Sequence, residues 1–258
     1  MNSGGETATL RQPICYTYTL TEDAMDTLPT DFWRAVWREL LGRDFDVPSP
    51  PTLSEHLASV LYKYKLLLIY IPPGLTEADY PTSFIKPDWE KVYERCTSVE
   101  RIPLRGGWAL VETIPKPDWI GPNHKHCGGY TDDVMIAEWD IGSRFELSWG
   151  IAQRLVKVGV SKLLELPEGS AQVTSVEEWN AVANLFNVLR DCRGMHLPDL
   201  GSTHSNEWCR NTAMWRTSDE GLTIGWHSSG GLANVGHHMA NHPTKSTAYR
   251  FIVWLEAA

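Results

Sequence analysis

Apolar positions recur along this chain with two periods, and the switches between them mark out its elements. From Pro13 to Leu20, Ile14, Tyr16, Tyr18 and Leu20 alternate with Cys15, Thr17 and Thr19, the period of a half-buried strand. The spacing then lengthens. Trp33, Val36, Trp37, Leu40 and Leu41 fall on one helical face, behind Thr30 as a predicted N-cap and ahead of Gly42 as a left-handed C-terminal cap. A Pro-rich link, Val47 to Pro51, leads to a second helix, for which Thr52 and Glu55 form a capping box and Leu57, Val60, Leu61 and Tyr64 an inner face. The apolar run Leu66 to Ile71 reads as a strand stopped by Pro72, Pro73 and Gly74.

Beyond Gly107 the order is strand, helix, helix, four strands. Trp108 to Ile114 alternates as a strand, and a loop with His124, His126 and Cys127 leads to a short extended piece, Val134 to Trp139. Ser143 with Glu146 is predicted to cap a helix that buries Phe145, Trp149, Ala152, Leu155 and Val156 and ends near Gly159. Ser175 with Glu178 caps another, with Val176, Trp179, Val182, Ala183, Phe186 and Leu189 inward and its end near Gly194. Three strands follow at Glu207 to Arg216, Leu222 to His227 and Leu232 to His238, joined by short turns. The last, Ala248 to Glu256, is apolar on both sides, as a strand covered on both faces should be. The expected class is α+β, with residues 1–104 as an N-terminal accessory α/β region and residues 105–258 as the main domain.

Composition narrows the function classes. With 42% hydrophobic residues and twelve Trp, 258 residues suffice for a sizeable core. A net charge of −9, with no Lys or Arg run to offset it, predicts no nucleic-acid partner. No segment has the length and apolarity of a membrane span, and the first ten residues lack signal-peptide character. A cytoplasmic protein is expected, or one reaching a virion or cell surface by a route without an N-terminal signal peptide. The five cysteines are odd in number and widely spread without a CxxC pair, which predicts reduced thiols. The tetrapeptide Lys-Pro-Asp-Trp occurs at Lys86 to Trp89 and again at Lys116 to Trp119, too isolated a likeness to make a repeat.

Candidate chemistry is sparse. His124, His126 and Cys127 lie together and His238 and His242 are four apart, but no HExxH motif or acidic base accompanies them, so no metal and no cofactor is expected. Asp199, Glu207 and Asp219 are not paired at a defined separation and read as turn or strand-edge residues. No Gly-rich phosphate loop, GxSxG elbow or Cys–His nucleophile arrangement is present. Trp179, Trp208, Trp226 and Trp254 fit core packing, while Trp215, near a strand end, could serve a recognition surface.

The order of elements from residue 105 onward resembles the C-type lectin fold as bacterial and viral proteins use it. Thr174 to Trp179 resembles the LPTxxEW opening of its second helix, and Asn206 to Asn211 the GNVWEWCxD segment of formylglycine-generating-enzyme-like proteins. Gly225 to Ser229 resembles their GGSW strand, and Tyr249 to Val253 their closing GFRxV. The calcium-binding sequence pattern of true lectins is absent, so the resemblance implies no carbohydrate partner. Two functions are implied by it. One is a metal-dependent oxidase like the formylglycine-generating enzymes, which need a cysteine pair where this chain has Cys209, with Cys192 upstream. The other, preferred here, is a ligand-binding variable protein of a diversity-generating retroelement, which displays diversified residues on its terminal sheet to an unknown protein or other macromolecular ligand.

Adenine randomisation in such retroelements, commonly at Asn codons, yields small polar residues and His or Arg but not Trp, Met or Glu. The terminal sheet divides along that line: Glu207, Trp208, Met214, Trp215, Trp226 and Trp254 are fixed outcomes. His204, Asn206, Arg210, Asn211, His227, Ser228, Ser229, Asn234, His237 and His238 are permitted ones, and these ten with Trp215 are the candidate ligand-binding set. If Trp208 and Trp226 face the core, alternation turns Asn206 and Arg210 inward and Cys209, Asn211 and His227 outward. The expected contiguous face is then Asn211, Trp215, His227, Ser228, Ser229, Asn234, His237 and His238.

Overall fold

The computed structural model describes residues 28–89, 96–115, 119–120, 125–126, 135, 138, 143–200, 206–215, 223–229, 235–239, 241 and 247–255. The strand expected from Pro13 to Leu20, and the loop positions His124, Cys127 and His242, lie outside them.

Helix α1, Thr30–Leu41, buries Phe32, Trp33, Val36 and Trp37, and Gly42 closes it in the left-handed conformation with its N–H on the Arg38 carbonyl. Thr30 is its first helical residue, and Pro29 holds the N-cap position. Helix α2, Glu55–Val60, is capped by Ser54, whose Oγ accepts from Leu57 N at 3.1 Å, and not by Thr52. Strand β1, Leu66–Ile71, is buried at every position. It pairs antiparallel with β3, Gly107–Glu112, from Leu66 opposite Glu112 to Ile71 opposite Gly107. Strand β2, Cys96–Val99, lies between them in sequence but belongs to another sheet. Two short strands, β4 (Trp119–Ile120) and β5 (Lys125–His126), pair with each other. Met135 and Glu138 are helical, where an extended piece was expected; Met135 is fully buried and Glu138 pairs with Lys63.

Helix α3 begins five residues later than Ser143 and Glu146 predict. Glu146 takes φ 62°, which no right-handed helix accommodates, and Ser143 Oγ accepts from Phe145 N instead. Ser148 is the cap. The helix runs as α over Trp149–Arg154, as π over Leu155–Val160 and as α again over Ser161–Leu163. It passes through Gly159 because Ala152, Val156, Val160 and Leu164 are all buried, which outweighs the ~1 kcal/mol that a helical glycine costs. The wider π turn leaves the Lys157 carbonyl to accept from Gly169 N in the loop ahead of β6, Ala171–Val173.

Helix α4, Val176–Arg193, keeps its predicted ends. Ser175 Oγ accepts from Glu178 N while the Glu178 carboxylate accepts from Ser175 N, and Gly194 caps the other end in the left-handed conformation.

The remaining strands are β7 (Asn206–Trp215), β8 (Thr223–Ser229), β9 (Val235–Met239), β10 (Thr247–Tyr249) and β11 (Phe251–Leu255). One sheet is four-stranded in the order β1-β3-β11-β6, antiparallel throughout. The final strand therefore does pair with the strand that begins at Gly107. The other sheet has the order β10-β7-β8-β9, with β2 also on β7. The single terminal strand expected from Ala248 is two strands broken at Arg250: β10 runs parallel to β7, and β11 switches to β3 and β6. One apolar core runs from Leu28 through Leu66 to Ile71, Trp108, Trp179, Phe186 and Trp254, so the described residues on either side of position 104 share it. The class is α+β.

Candidate functional site

Strand β7 is the hinge between the core and the candidate recognition positions. Both of its edges are occupied: β8 along one, and on the other β10 opposite residues 206–208 and β2 opposite residues 213–215. Both of its faces are covered as well, since Glu207, Trp208, Cys209 and Asn211 are all fully buried. Trp208 Nε1 donates to the Leu147 carbonyl at 3.1 Å, and Trp149 Nε1 donates to the Cys209 carbonyl at 2.7 Å, which fastens one face to the start of α3.

The other face carries ionised groups into the interior. Glu207 Oε2 accepts from Trp179 Nε1 at 2.8 Å, and its Oε1 from Arg250 Nη2 at 3.0 Å. Arg250 also donates to the carbonyls of Glu112 and Ile114, at 3.1 and 2.9 Å. That set of acceptors explains the break between β10 and β11, because it holds the chain at Arg250 where it changes sheets. Beside it, Arg144 makes a two-pronged contact with Glu112 at 2.7 and 3.1 Å, and Glu112 Oε2 accepts a third bond from Phe251 N. The Glu178 carboxylate of the α4 capping box also takes both Nη atoms of Arg210, and Trp254 Nε1 at 2.8 Å. Buried charges are tolerated when each is paired and its remaining lone pairs are used, and these three Glu–Arg pairs meet that condition.

Asn211 completes the seam. Its Oδ1 accepts from Val176 N at 2.8 Å, which serves one of the free N–H groups at the start of α4. Its Nδ2 donates to Glu177 Oε2 at 2.9 Å and to the Glu100 carbonyl at 3.1 Å. Glu177 in turn accepts from Arg101 Nε and Ile102 N.

These contacts correct two expected orientations. Asn211, expected to point outward, is fully buried against α4, and so is Cys209, also expected outward. Alternation fails as a guide because β7 has no solvent face in this stretch, and because its register with β8 shifts between Cys209 and Thr212. Arg210 is mostly buried and holds Glu178 and the Val173 carbonyl. Trp179, Trp208 and Trp254 are core residues, as expected. Trp215 is paired with Cys96 of β2 and is not at a free strand end.

The other candidates separate by place. His204 and Asn234 lie outside the described residues. Position 206 pairs with position 229 in the β7–β8 register. His227, Ser228 and Ser229 are on β8 and His237 and His238 on β9, which pairs with β8 alone among the described strands. The register divides these five. Position 227 pairs with Trp208, and positions 225 and 238 pair with each other, so 227, 229 and 238 share the parity of Trp208. Positions 228 and 237 share the parity of Glu207 and Cys209, on the side that α4 covers at β7. One contiguous face over all of them does not follow.

Cys209, the position that the oxidase alternative relies on, has its sulfur 3.8 Å from the Glu207 carbonyl inside the protein, whereas Cys192 is exposed near the end of α4. Among the described residues no three His, Cys, Asp or Glu side chains converge as a metal site, and no helix is long and apolar enough to cross a membrane. The signal that was missed is the polar content of Glu207 to Asn211, Arg250 and Glu177. The Glu-rich start of α4 and the Glu and Arg placed in apolar strands could have disclosed it. Compared with known proteins, the chain matches no family model, no curated protein and no solved structure.

Proposed function

We propose that the chain is a ligand-binding protein of C-type-lectin-like fold, in which β8 and β9 carry a diversified recognition surface for a protein or other macromolecular ligand. The observation that carries this reading is the strand order: the permitted positions 227–229 sit on β8, next to β7, and 237–238 on β9, which is the last of the described strands on that side of the sheet. A scaffold that varies its ligand must keep changes at the surface from reaching its core. Here β7 takes the charge pairs and the caps, and β8 and β9 lie beyond it.

The lectin-like reading draws further support from connectivity. The strand that opens the 105–258 region pairs with the strand near its end, α3 and α4 fall between them, and a second sheet of β7, β8 and β9 follows α4. Positions 227, 229 and 238, on the parity away from α4, are the centre of the proposed surface.

The test is a display library in which positions 227, 229 and 238 are randomised together and selected against an arbitrary soluble protein. The reading expects most members to be displayed as folded protein and selection to enrich specific binders. A library that is mostly unfolded, or folded but barren of binders, contradicts it. A reverse-transcriptase gene beside this one, with a near-copy of its 3′ end, would tie the surface to retroelement diversification.

A further inference from the structure

Away from that sheet, a cavity of about 290 Å³ opens between the loop 74–80 and the segment 101–104, with Glu177 of α4 in its lining. Its size is at the small end of the roughly 300–1,000 Å³ typical of small-molecule sites. The walls are pinned together where Gly106 meets Pro73: a Cβ at position 106 would lie 2.1 Å from the Pro73 Cα, so only glycine allows the approach.

Leu75, Ile102 and Leu104 supply apolar walls, and two polar groups are left over among them. Tyr80 is 8% exposed, and its hydroxyl has no hydrogen-bond partner among the described residues. The ring is buried but the oxygen is not sealed from solvent, so the hydroxyl is open to a partner that enters the cavity. Glu77 uses only Oε1, which accepts from Arg101 Nη2 at 2.8 Å and Trp89 Nε1 at 3.1 Å; its Oε2 has no partner among the described residues. Glu177, by contrast, is saturated by Arg101, Ile102 and Asn211.

The charge balance sets the ligand class. Two carboxylates, Glu77 and Glu177, line the cavity against one guanidinium, Arg101, which bridges both of them and stacks 4.0 Å over the Trp89 ring. Among the described lining residues the carboxylates outnumber the guanidinium by one. Burial above all, and then Glu77 and Glu177, hold the Tyr80 hydroxyl above the ordinary phenol range, with Arg101 opposing them least. The hydroxyl is protonated at neutral pH and can donate one bond while accepting another.

We infer that this cavity binds a small organic ammonium, with its apolar body against Leu75, Ile102 and Leu104 and its charged nitrogen between Glu77 Oε2 and the Tyr80 hydroxyl. A carboxylate ligand would meet an Arg101 already held by two glutamates and a cavity of its own sign. A neutral ligand could donate to the Glu77 oxygen but would bring no charge to match it.

Three probes with the same apolar body separate these classes: 2-phenylethylammonium, 2-phenylethanol and 3-phenylpropanoate, each titrated into the full chain by calorimetry. The ammonium is expected to bind about tenfold or more tightly than either of the others, the scale of one charge-assisted hydrogen bond. Glu77→Gln should erase that preference while leaving the weaker binding of the alcohol, and Tyr80→Phe should reduce it severalfold. If Glu77→Gln does not fold, the three probes on the unsubstituted chain and on Tyr80→Phe still decide. Equal binding of alcohol and ammonium, preference for the carboxylate, or no binding of any probe overturns the inference.

Discussion

Strand β1 ends the described part of its sheet and β7 lies inside the other, and both are buried, yet they reach that state by opposite means. β1 is Leu-Leu-Leu-Ile-Tyr-Ile, and its side chains exclude water by apolar contact, with the Tyr70 hydroxyl as the one polar tip, donating to the Asp46 carbonyl. β7 buries Glu207, Cys209 and Asn211 alongside Trp208, and each polar group there is matched to a named partner on α4, β10–β11 or the segment before α3. Apolar burial is tolerant of which neighbour provides it. Buried charge is not, because a carboxylate without its guanidinium costs several kcal/mol. The second strategy fixes one geometry, and so it suits a strand that must hold α4 and the two sheets in register while β8 and β9 continue beyond it.

The contrast can be broken most forcefully at Arg250. Arg250→Met leaves the Glu207 carboxylate in the interior without its guanidinium and is expected to cost about 3–5 kcal/mol in denaturant unfolding. Adding Glu207→Leu should recover a substantial part of that loss, since replacing a whole buried pair by apolar groups is often near neutral. A single substitution that costs nothing would mean the pair does not organise β7.

In β1 the same question has a different answer. Leu68→Ala is expected to cost roughly 3 kcal/mol, from lost burial and a residual cavity. No second substitution among polar residues should rescue it. Asn211→Ala removes the acceptor for Val176 N and the donor to Glu177 and Glu100, for a loss of about 1–3 kcal/mol by the same unfolding measurement. Ser175→Ala removes only the helix cap and should cost about 1 kcal/mol.

The two strands also show what the sequence makes legible. β1 could be read directly, because six apolar residues closed by Pro72, Pro73 and Gly74 have few other interpretations. The α4 capping box and its Gly194 end were equally plain, since the cap signal and the apolar face agree there. Where a local signal is degenerate the reading slipped: Ser54 and Ser148 lie within a few residues of Thr52 and Ser143, and only the tertiary course of the chain selects between them. β7 was misread for a deeper reason. Alternation assigns polar residues to solvent, and it has no means of recognising that Glu207 and Asn211 face Arg250, Trp179 and the start of α4, which are far away in sequence. The break at Arg250 was hidden in the same way, because its acceptors are carbonyls that become available only once β3 is in place.

The division of labour between β7 and the strands beyond it is tested most directly by thermal unfolding of two variants side by side. Asn211→Ala should lower the midpoint by several degrees, given about 2–4 °C per kcal/mol for a chain of this size. The triple variant His227→Ala, Ser229→Ala and His238→Ala should stay within about 2 °C of the parent, as surface substitutions do. A triple variant that loses as much as Asn211→Ala, or fails to fold, would place those three positions in the core and contradict a recognition surface on β8 and β9.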